Sequence, residues 1–437
     1  MQNGEATAKS IPAQILSQMK KRRLLIFAAI SIAYLISYFH RSATAVVGPE
    51  LINELSLEPA ALGLLGSMYF WAYAAAQLPA GILADTWGPR KTMSIFALIA
   101  AVGGVIFGLC SDVSLLTVGR FLVGLGVGFI YVPALRILTE WYRPDEMATT
   151  NGLLLSVGNT GAMISAAPLV LLMTYFGWRH VFIIVAAVTV VCALFTWVAV
   201  RNKPTELGFP SARELQGLEP LPPAPPVKLG AALSSVFSKK KFYLLCLLMF
   251  CYYGTLMSVG SLWAGPYLQH VYELSKQVTG NIIMMFPLGM VFGCPLAGFI
   301  SDKIVKSRKK VLLGGAILHA LAYIPLIWMP GELSQMQLYM LFLWYGLTGG
   351  AFVTCYACAK ETTQPQFAGT AMGALNVFVF AGGACYQQVQ GLVLGSYEVV
   401  REGVFSIAAY QSAMQVAFFG LIVGIILFMF FKEERTM

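Results

Sequence analysis

Charge is scarce in this sequence. Charged residues make up 11% of the 437, against about 25% in soluble domains. Apolar residues reach 58% and the mean hydropathy is +0.72, which excludes an ordinary soluble domain and places the chain in a bilayer. Strict polar–apolar alternation is also missing, so a transmembrane β-barrel is excluded. The N-terminal stretch MQNGEATAKSIPAQILSQMKKRR has no long apolar core ending in a small-residue cleavage site. It reads as a tail rather than a signal peptide, and the first span then serves as the uncleaved insertion signal. All eight cysteines (110, 192, 246, 251, 294, 355, 358 and 385) fall in expected spans. Cys355 and Cys358 have CxxC spacing, but no second pair faces them, so small-residue helix packing is expected rather than a metal site. No phosphate-binding loop appears, and no His, Cys, Asp or Ser set has catalytic spacing. Neither an enzyme nor a cofactor is expected.

What is abundant is apolar sequence in long runs. A bilayer core of about 30 Å needs roughly 20 apolar residues per helix. Spans are expected near 24–48, 60–84, 91–110, 114–138, 147–172, 179–200, 242–268, 277–300, 310–329, 335–358, 366–393 and 406–431, twelve in two groups of six. Of the 29 Lys and Arg residues, 23 fall in the tails and even-numbered loops. By the positive-inside rule both termini and the central loop are expected to be cytoplasmic, in an inner or plasma membrane. The formal net charge of +9 is largely this bias, so no nucleic-acid partner is expected.

The chain also repeats itself. Gly48-Pro49 matches Gly265-Pro266, Gly63 matches Gly280, Gly81 matches Gly298 and Asp85 matches Asp302, each 217 residues apart. At an offset of 221, Glu140 matches Glu361, Pro144 matches Pro365, Gly152 matches Gly373 and Gly161 matches Gly382. A constant offset over so many positions argues for two homologous six-helix halves, 24–200 and 242–431. They are framed by a tail at 1–23, a Pro-rich linker at 201–241 with a short amphipathic segment near 229–238, and a tail at 432–437. Two facing repeats are the plan of many secondary transporters, with substrate held near the midplane.

These features resemble the major facilitator superfamily. The likeness covers 24 to 431, and its most specific element is GILADTWGPRK at 81–91, which fits the family's G-x-x-x-D-x-x-G-x-R-[KR] loop. GFISDKIVKSRKK at 298–310 is a degraded copy; GRFLVGLGVGFIYVP at 119–133 and GWRHVF at 177–182 add support. The resemblance implies an all-α fold of twelve transmembrane helices. It also implies that Asp85 and Arg90 join a cytoplasmic latch when the cavity faces outward. Glu140, Arg143, Asp302 and Glu361, at neighbouring helix ends, are its expected partners. Anchoring by positive charge alone is the plainer alternative.

Three cations fall within spans: Arg41, Arg120 and Arg136. An arginine at mid-bilayer costs about 3 kcal/mol on insertion scales. From the outer ends of their spans, Arg41 and Arg120 lie roughly 13 Å and 12 Å deep at 1.5 Å per residue. Tyr34, Tyr38 and Arg41 share one helix face, as do Arg120, Gly124, Gly128 and Tyr131. No carboxylate is available mid-span; the nearest are Glu50, Asp85, Glu140 and Glu361. Buried cations without protein anions need water, carbonyls or a ligand, and arginine grips carboxylate or phosphate bidentately. Arg136, near the cytoplasmic end, is expected to snorkel.

Span 1 is also similar to that of organic-anion carriers, the anion–cation symporters and the organophosphate–phosphate antiporters, which place an arginine near the position of Arg41. The chain departs from both. His40 stands where the symporters often have Asp, and Val127 or Gly128 where they have a span-4 glutamate; Ser258 stands where the antiporters have a second arginine. Arginine at the position of Arg120 recurs across the superfamily whatever the substrate, which leaves helix bracing as its alternative role. His40 points about 100° away from Arg41 and is the proton-coupling candidate, with a packed neutral imidazole as the alternative. In the second half, polar uncharged residues including Tyr252, Tyr253, Ser258, Ser261, Asn376, Gln387 and Gln388, with Asn159 in span 5, are expected to complete the site. The substrate set is therefore Arg41, Arg120, Tyr34, Tyr38, Tyr131, Asn159, Tyr252 and Asn376.

The expected function is a monomeric carrier that moves a small organic anion, a metabolite carboxylate or an anionic metal chelator, by alternating access. Proton coupling is an open part of that expectation. A drug exporter is one rival and predicts an acidic cavity. A receptor that binds without transport is another and predicts an added signalling domain.

Overall fold

The computed structural model describes residues 12–143, 146–211, 214, 229–364, 367–401 and 404–433. The matched pair Pro144 and Pro365, the first eleven residues and residues 212, 213 and 215–228 of the linker lie outside this range. Helices account for nearly all of what is described. The first-half helices are α1 (Ala13–Leu55), α2 (Pro59–Thr86), α3 (Pro89–Leu109), α4 (Val113–Gly128), α5 (Tyr131–Trp141), α6 (Met147–Ile164) and α7 (Ala167–Ala199). A short α8 (Leu229–Phe237) follows where the amphipathic segment was expected. Then come α9 (Lys240–Ser258), α10 (Ala264–Val271), α11 (Lys276–Phe299), α12 (Arg308–Leu321), α13 (Tyr323–Trp328), α14 (Gln335–Gly349), α15 (Thr354–Glu361), α16 (Ala368–Gly395) and α17 (Ile407–Met429).

Among the described residues, ten helical segments are long and apolar enough to cross a bilayer. The expected spans at 60–84 and 147–172 are helical but are not among them. Their residues explain it: α2 carries Ser67, three tyrosines or phenylalanines in Tyr69, Phe70 and Tyr73, and Gln77, while α6 carries Thr150, Asn151 and Asn159. Helices that line a protein interior need less lipid-facing hydrophobicity.

Several boundaries differ from expectation for local reasons. The helix of span 1 begins at Ala13 and ends at Leu55, running through Pro49, so half the expected tail is helical. Spans 5 and 6 meet at Gly177, whose φ of +72° turns the chain within α7, a conformation glycine adopts without a Cβ penalty. Span 7 is interrupted by a π-turn at Val259–Trp263 and span 10 by a 3₁₀ turn at Gly350–Val353. A two-stranded ribbon, β1 (Val399–Arg401) with β2 (Val404–Phe405), sits between α16 and α17 and is an exception to the all-helical expectation.

The duplication is visible in packing. Gly161 of α6 would drive a Cβ to 2.1 Å from the Leu35 carbonyl of α1, and its match Gly382 of α16 to 2.1 Å from the Phe250 carbonyl of α9. Gly63 of α2 packs on Gln387 and Gly391 of α16, while its match Gly280 of α11 packs on Ala167 and Val170 of α7. Small residues let backbones approach in this way, which replaces the hydrophobic drive that lipid cannot supply. The C-terminal part of α1 meets the other half: Gly48 touches Pro266, Gly265 touches Ala45 and Pro49, and Lys276 Nζ lies 2.5 Å from Glu50.

Candidate functional site

Arg41 sits where the two halves meet. Its guanidinium carbon lies 4.3 Å from the ring centre of Tyr38, 5.1 Å from Tyr73 and 5.2 Å from Phe380. Nη1 donates to the hydroxyl of Tyr253 at 3.4 Å. These partners come from α1, α2, α16 and α9, so four helices from both halves of the chain box one cation. Ring faces attract a guanidinium electrostatically and stay apolar enough to suit the interior. Among the described residues no carboxylate pairs with Arg41, and its Nε–H has no hydrogen-bond partner. Donor capacity is thus left over on a residue that is 4% exposed.

Next to the box lie polar side chains, some buried and some half-buried. Tyr34 donates to Tyr38 at 3.3 Å and stacks on Tyr131 with ring centres 5.1 Å apart. Tyr131 donates to Asn151 Oδ1 at 3.3 Å. From the other half, Tyr356 donates to Asn376 Oδ1 at 2.8 Å, and Asn376 Nδ2 donates to Gln77 Oε1 at 3.1 Å. Gln77 Nε2 reaches back to the Tyr73 carbonyl at 3.2 Å. The relay from Tyr356 through Asn376 and Gln77 bridges the halves and ends on the backbone carbonyl of Tyr73, whose ring lies against Arg41.

Arg120 is placed differently. It is 1% exposed, lies over Tyr69 at 4.9 Å and Phe107 at 5.9 Å, and donates from Nη1 to the His40 carbonyl at 3.2 Å. All of these contacts are within the first half. Its geometry braces α1 against α4, and Tyr69 in turn donates to the Ser37 carbonyl at 3.3 Å. The His40 ring is fully buried, meets Phe39 edge-on, and has no hydrogen-bond partner at either nitrogen among the described residues.

Two other expected residues make their hydrogen bonds elsewhere. Tyr252 donates to the Thr348 carbonyl and lies against His319, inside the second half; its neighbour Tyr253 takes the place at Arg41. Asn159 donates to the Leu155 carbonyl of its own helix at 3.1 Å. Sequence reasoning missed Tyr73, Gln77, Phe380 and Tyr356. Tyr69, Tyr73 and Gln77 recur every four residues, the same face-sharing signal that marked Tyr34, Tyr38 and Arg41.

The charged clusters of the face expected to be cytoplasmic (the inner face below) are closed within each half. Arg136 Nε lies 3.4 Å from Asp85, and its Nη2 lies 3.2 Å from Glu140. Arg308 pairs with both Asp302 and Glu361. The duplicated carboxylates therefore each find one arginine, although Arg136 comes from span 4 and Arg308 from the start of span 9. Arg90 is elsewhere: it stacks on Trp197 at 4.5 Å and donates from Nε to the Trp197 carbonyl at 2.6 Å. The Arg143 backbone N–H donates to Glu146 at 2.9 Å. Among the described residues no ion pair joins the two clusters.

A duplicated helical membrane protein with an arginine boxed at the junction of its halves has the build of a secondary transporter. The chain belongs to the Major Facilitator Superfamily, whose model matches residues 30–385. It is 25% identical over 392 residues to a probable hexose phosphate transport protein of Chlamydia trachomatis, covering 86% of each chain. It is 28% identical over 306 residues to the probable sulfoacetate transporter SauU of Cupriavidus necator, covering 69% of this chain and 70% of that one. The membrane sensor protein UhpC of Escherichia coli is 24% identical over 369 residues, 82% of each. Among solved structures, a bacterial homolog of the human lysosomal transporter Spinster, inward-facing and unoccupied, shares the fold with a TM-score of 0.72 at 19% identity, covering 93% of this chain and 96% of that one.

Proposed function

We propose that this transporter carries a small organic anion, with Arg41 as the group that binds it. The observation that carries the reading is the Arg41 box: a cation at the junction of the halves, faced by rings, with an unused Nε–H and no carboxylate among the described residues. An anion entering beside it gains a charge-assisted bond where few other charges compete. The names of two relatives, a hexose phosphate carrier and a sulfoacetate carrier, favour an anionic cargo. The first-half tyrosines Tyr34, Tyr38 and Tyr131 and the second-half pair Tyr356 and Asn376 would orient the rest of the substrate, while Arg120 positions α1 rather than touching it. In this reading the protein is a monomer, non-enzymatic, with halves at 24–200 and 242–431 and both termini cytoplasmic in the inner membrane. Asp85, Glu140, Asp302 and Glu361, with Arg136 and Arg308, re-pair across the halves as the inner side closes. Proton coupling is assigned to His40, which needs an outward state to bring water to its ring.

The sensor relative favours a second reading, binding without transport. Proteoliposomes offered a panel of labelled organic anions and cations separate the two. Accumulation or exchange of an anion is expected in the wild type, and its abolition by Arg41→Ala at unchanged expression and insertion. Anion binding without flux would favour the sensor; full transport by the variant removes Arg41 as the ligand. Uptake of cations alone would turn the assignment towards an exporter.

A further inference from the structure

We infer that Glu433 is a positioning residue for the inner-face charge cluster: the chain beyond α17 folds back and holds Arg308 on Asp302 and Glu361. This rests on the reading above, in which those carboxylates re-pair across the halves during transport.

The contacts are direct. α17 ends at Met429, and Phe431, 2% exposed, stacks on Phe428 with ring centres 4.9 Å apart. That turn delivers Glu433 to the start of α12. Its Oε1 accepts the backbone N–H of Arg308 at 2.6 Å and that of Lys309 at 3.2 Å, and its Oε2 accepts from the Ser307 hydroxyl. In return, Lys309 Nζ donates to the Met429 carbonyl at 2.8 Å, at the end of α17. A carboxylate suits the free N–H groups of a helix start, and an ammonium the free carbonyls of a helix end.

Capping alone does not require this tie. Ser307 already serves α12, accepting from the Lys310 N–H at 3.2 Å. What Glu433 adds is a fixed place for Arg308, whose guanidinium reaches Ser301 Oγ at 2.9 Å as well as Asp302 and Glu361. Arg136, which plays the same part in the first half, lies inside α5 and is held by the helix itself; Arg308 is the first residue of α12 and has only a turn behind it. That turn is constrained. Lys306 has a φ of +51°, a left-handed backbone that a residue with a Cβ adopts only when its surroundings impose it. With Glu433 gripping the three residues that follow, the turn cannot relax and carry Arg308 away. Loss of the grip leaves Asp302 and Glu361 less fully answered within their own half, and favours the state in which they pair with the other.

Hydrogen–deuterium exchange of the full chain in detergent tests this with no substrate present, so the cargo assignment does not enter. Glu433→Gln should speed exchange over 307–312 about tenfold and slow it about threefold over α5, as the first-half cluster gains partners. Arg308→Gln should slow α5 as well. Faster exchange confined to 307–312 in the Glu433 variant would make the residue a cap and overturn the inference. Slowing of α5 by Arg308→Gln but not by Glu433→Gln overturns it while the re-pairing reading stands; no slowing by either brings down both. Glu332→Gln removes an exposed carboxylate elsewhere in the second half and should change nothing; an equal response to it would also refute the assignment. If Glu433→Gln unfolds, Glu433→Asp takes its place, since it keeps the charge and loses reach. The same opposite changes are then expected at smaller size, and unchanged exchange over α5 overturns the inference.

Discussion

Gly265 presses its bare α-carbon against the backbone of Ala45, so closely that a Cβ there would lie 1.8 Å from the Ala45 carbonyl oxygen. Its duplicate, Gly48, touches Pro266 in return. The two Gly-Pro pairs, 217 residues apart, thus meet each other across the halves. Overpacking of this kind costs about 1–3 kcal/mol, so Gly265→Ala should tilt the protein away from the state in which the two Gly-Pro pairs touch. The expected result is a transport rate reduced severalfold and increased labelling of outer-side cysteines introduced beside Pro49. Gly314→Ala, where nothing lies within 4 Å, serves as the control, and equal behaviour of the two variants would contradict the account.

Arg41→Lys keeps the charge but loses the planar fork and its stacking between Tyr38, Tyr73 and Phe380. Anion transport should fall at least tenfold although the net charge is unchanged. Wild-type kinetics in the lysine variant would mean that the site needs only a positive potential.

Arg120 should behave as a brace. A hydrogen bond from a charged group contributes about 1.5–3 kcal/mol, and here it joins α4 to the His40 carbonyl. Arg120→Gln is expected to lower the unfolding midpoint in detergent by several degrees, with transport lost in proportion to folded protein. A normal midpoint with weakened substrate affinity would instead make Arg120 a ligand.

Asp85 and Arg136 are both largely exposed, and ion pairs of that kind contribute about 0–1 kcal/mol. Asp85→Asn should therefore leave the unfolding midpoint nearly unchanged. If Asp85 re-pairs across the halves when the inner side closes, the same variant should transport several times more slowly. Unimpaired turnover would restrict Asp85 to the contact seen here.

His40→Gln tests coupling. Uptake driven by an imposed pH gradient should lose its gradient dependence in the variant while exchange of anion for anion persists. Retained dependence would take His40 out of that role.

Much of the architecture was legible because it is written along the chain. Apolar run length sets the spans, and a fixed offset exposes the duplication; both are one-dimensional signals that survive without contacts. The depth of Arg41 could be counted from its helix end. Its box could not, because helix rotation about the long axis decides whether Tyr252 or Tyr253 faces the junction, and the surrounding helices set that rotation. The same limit hid Tyr73 and Gln77, whose spacing marks a face without saying what it meets.

The sequence by itself determined a duplicated helical membrane protein with two arginines buried at similar depth and no carboxylate beside them, since hydropathy, repeat spacing and residue inventory are properties of the chain alone. Tertiary structure decided that only one of those arginines reaches the junction of the halves, and that Arg136 rather than Arg90 serves Asp85. The physical reason is that a guanidinium on a long side chain takes whichever acceptors and rings the packed helices bring within about 5 Å, and no count along the chain contains that neighbourhood.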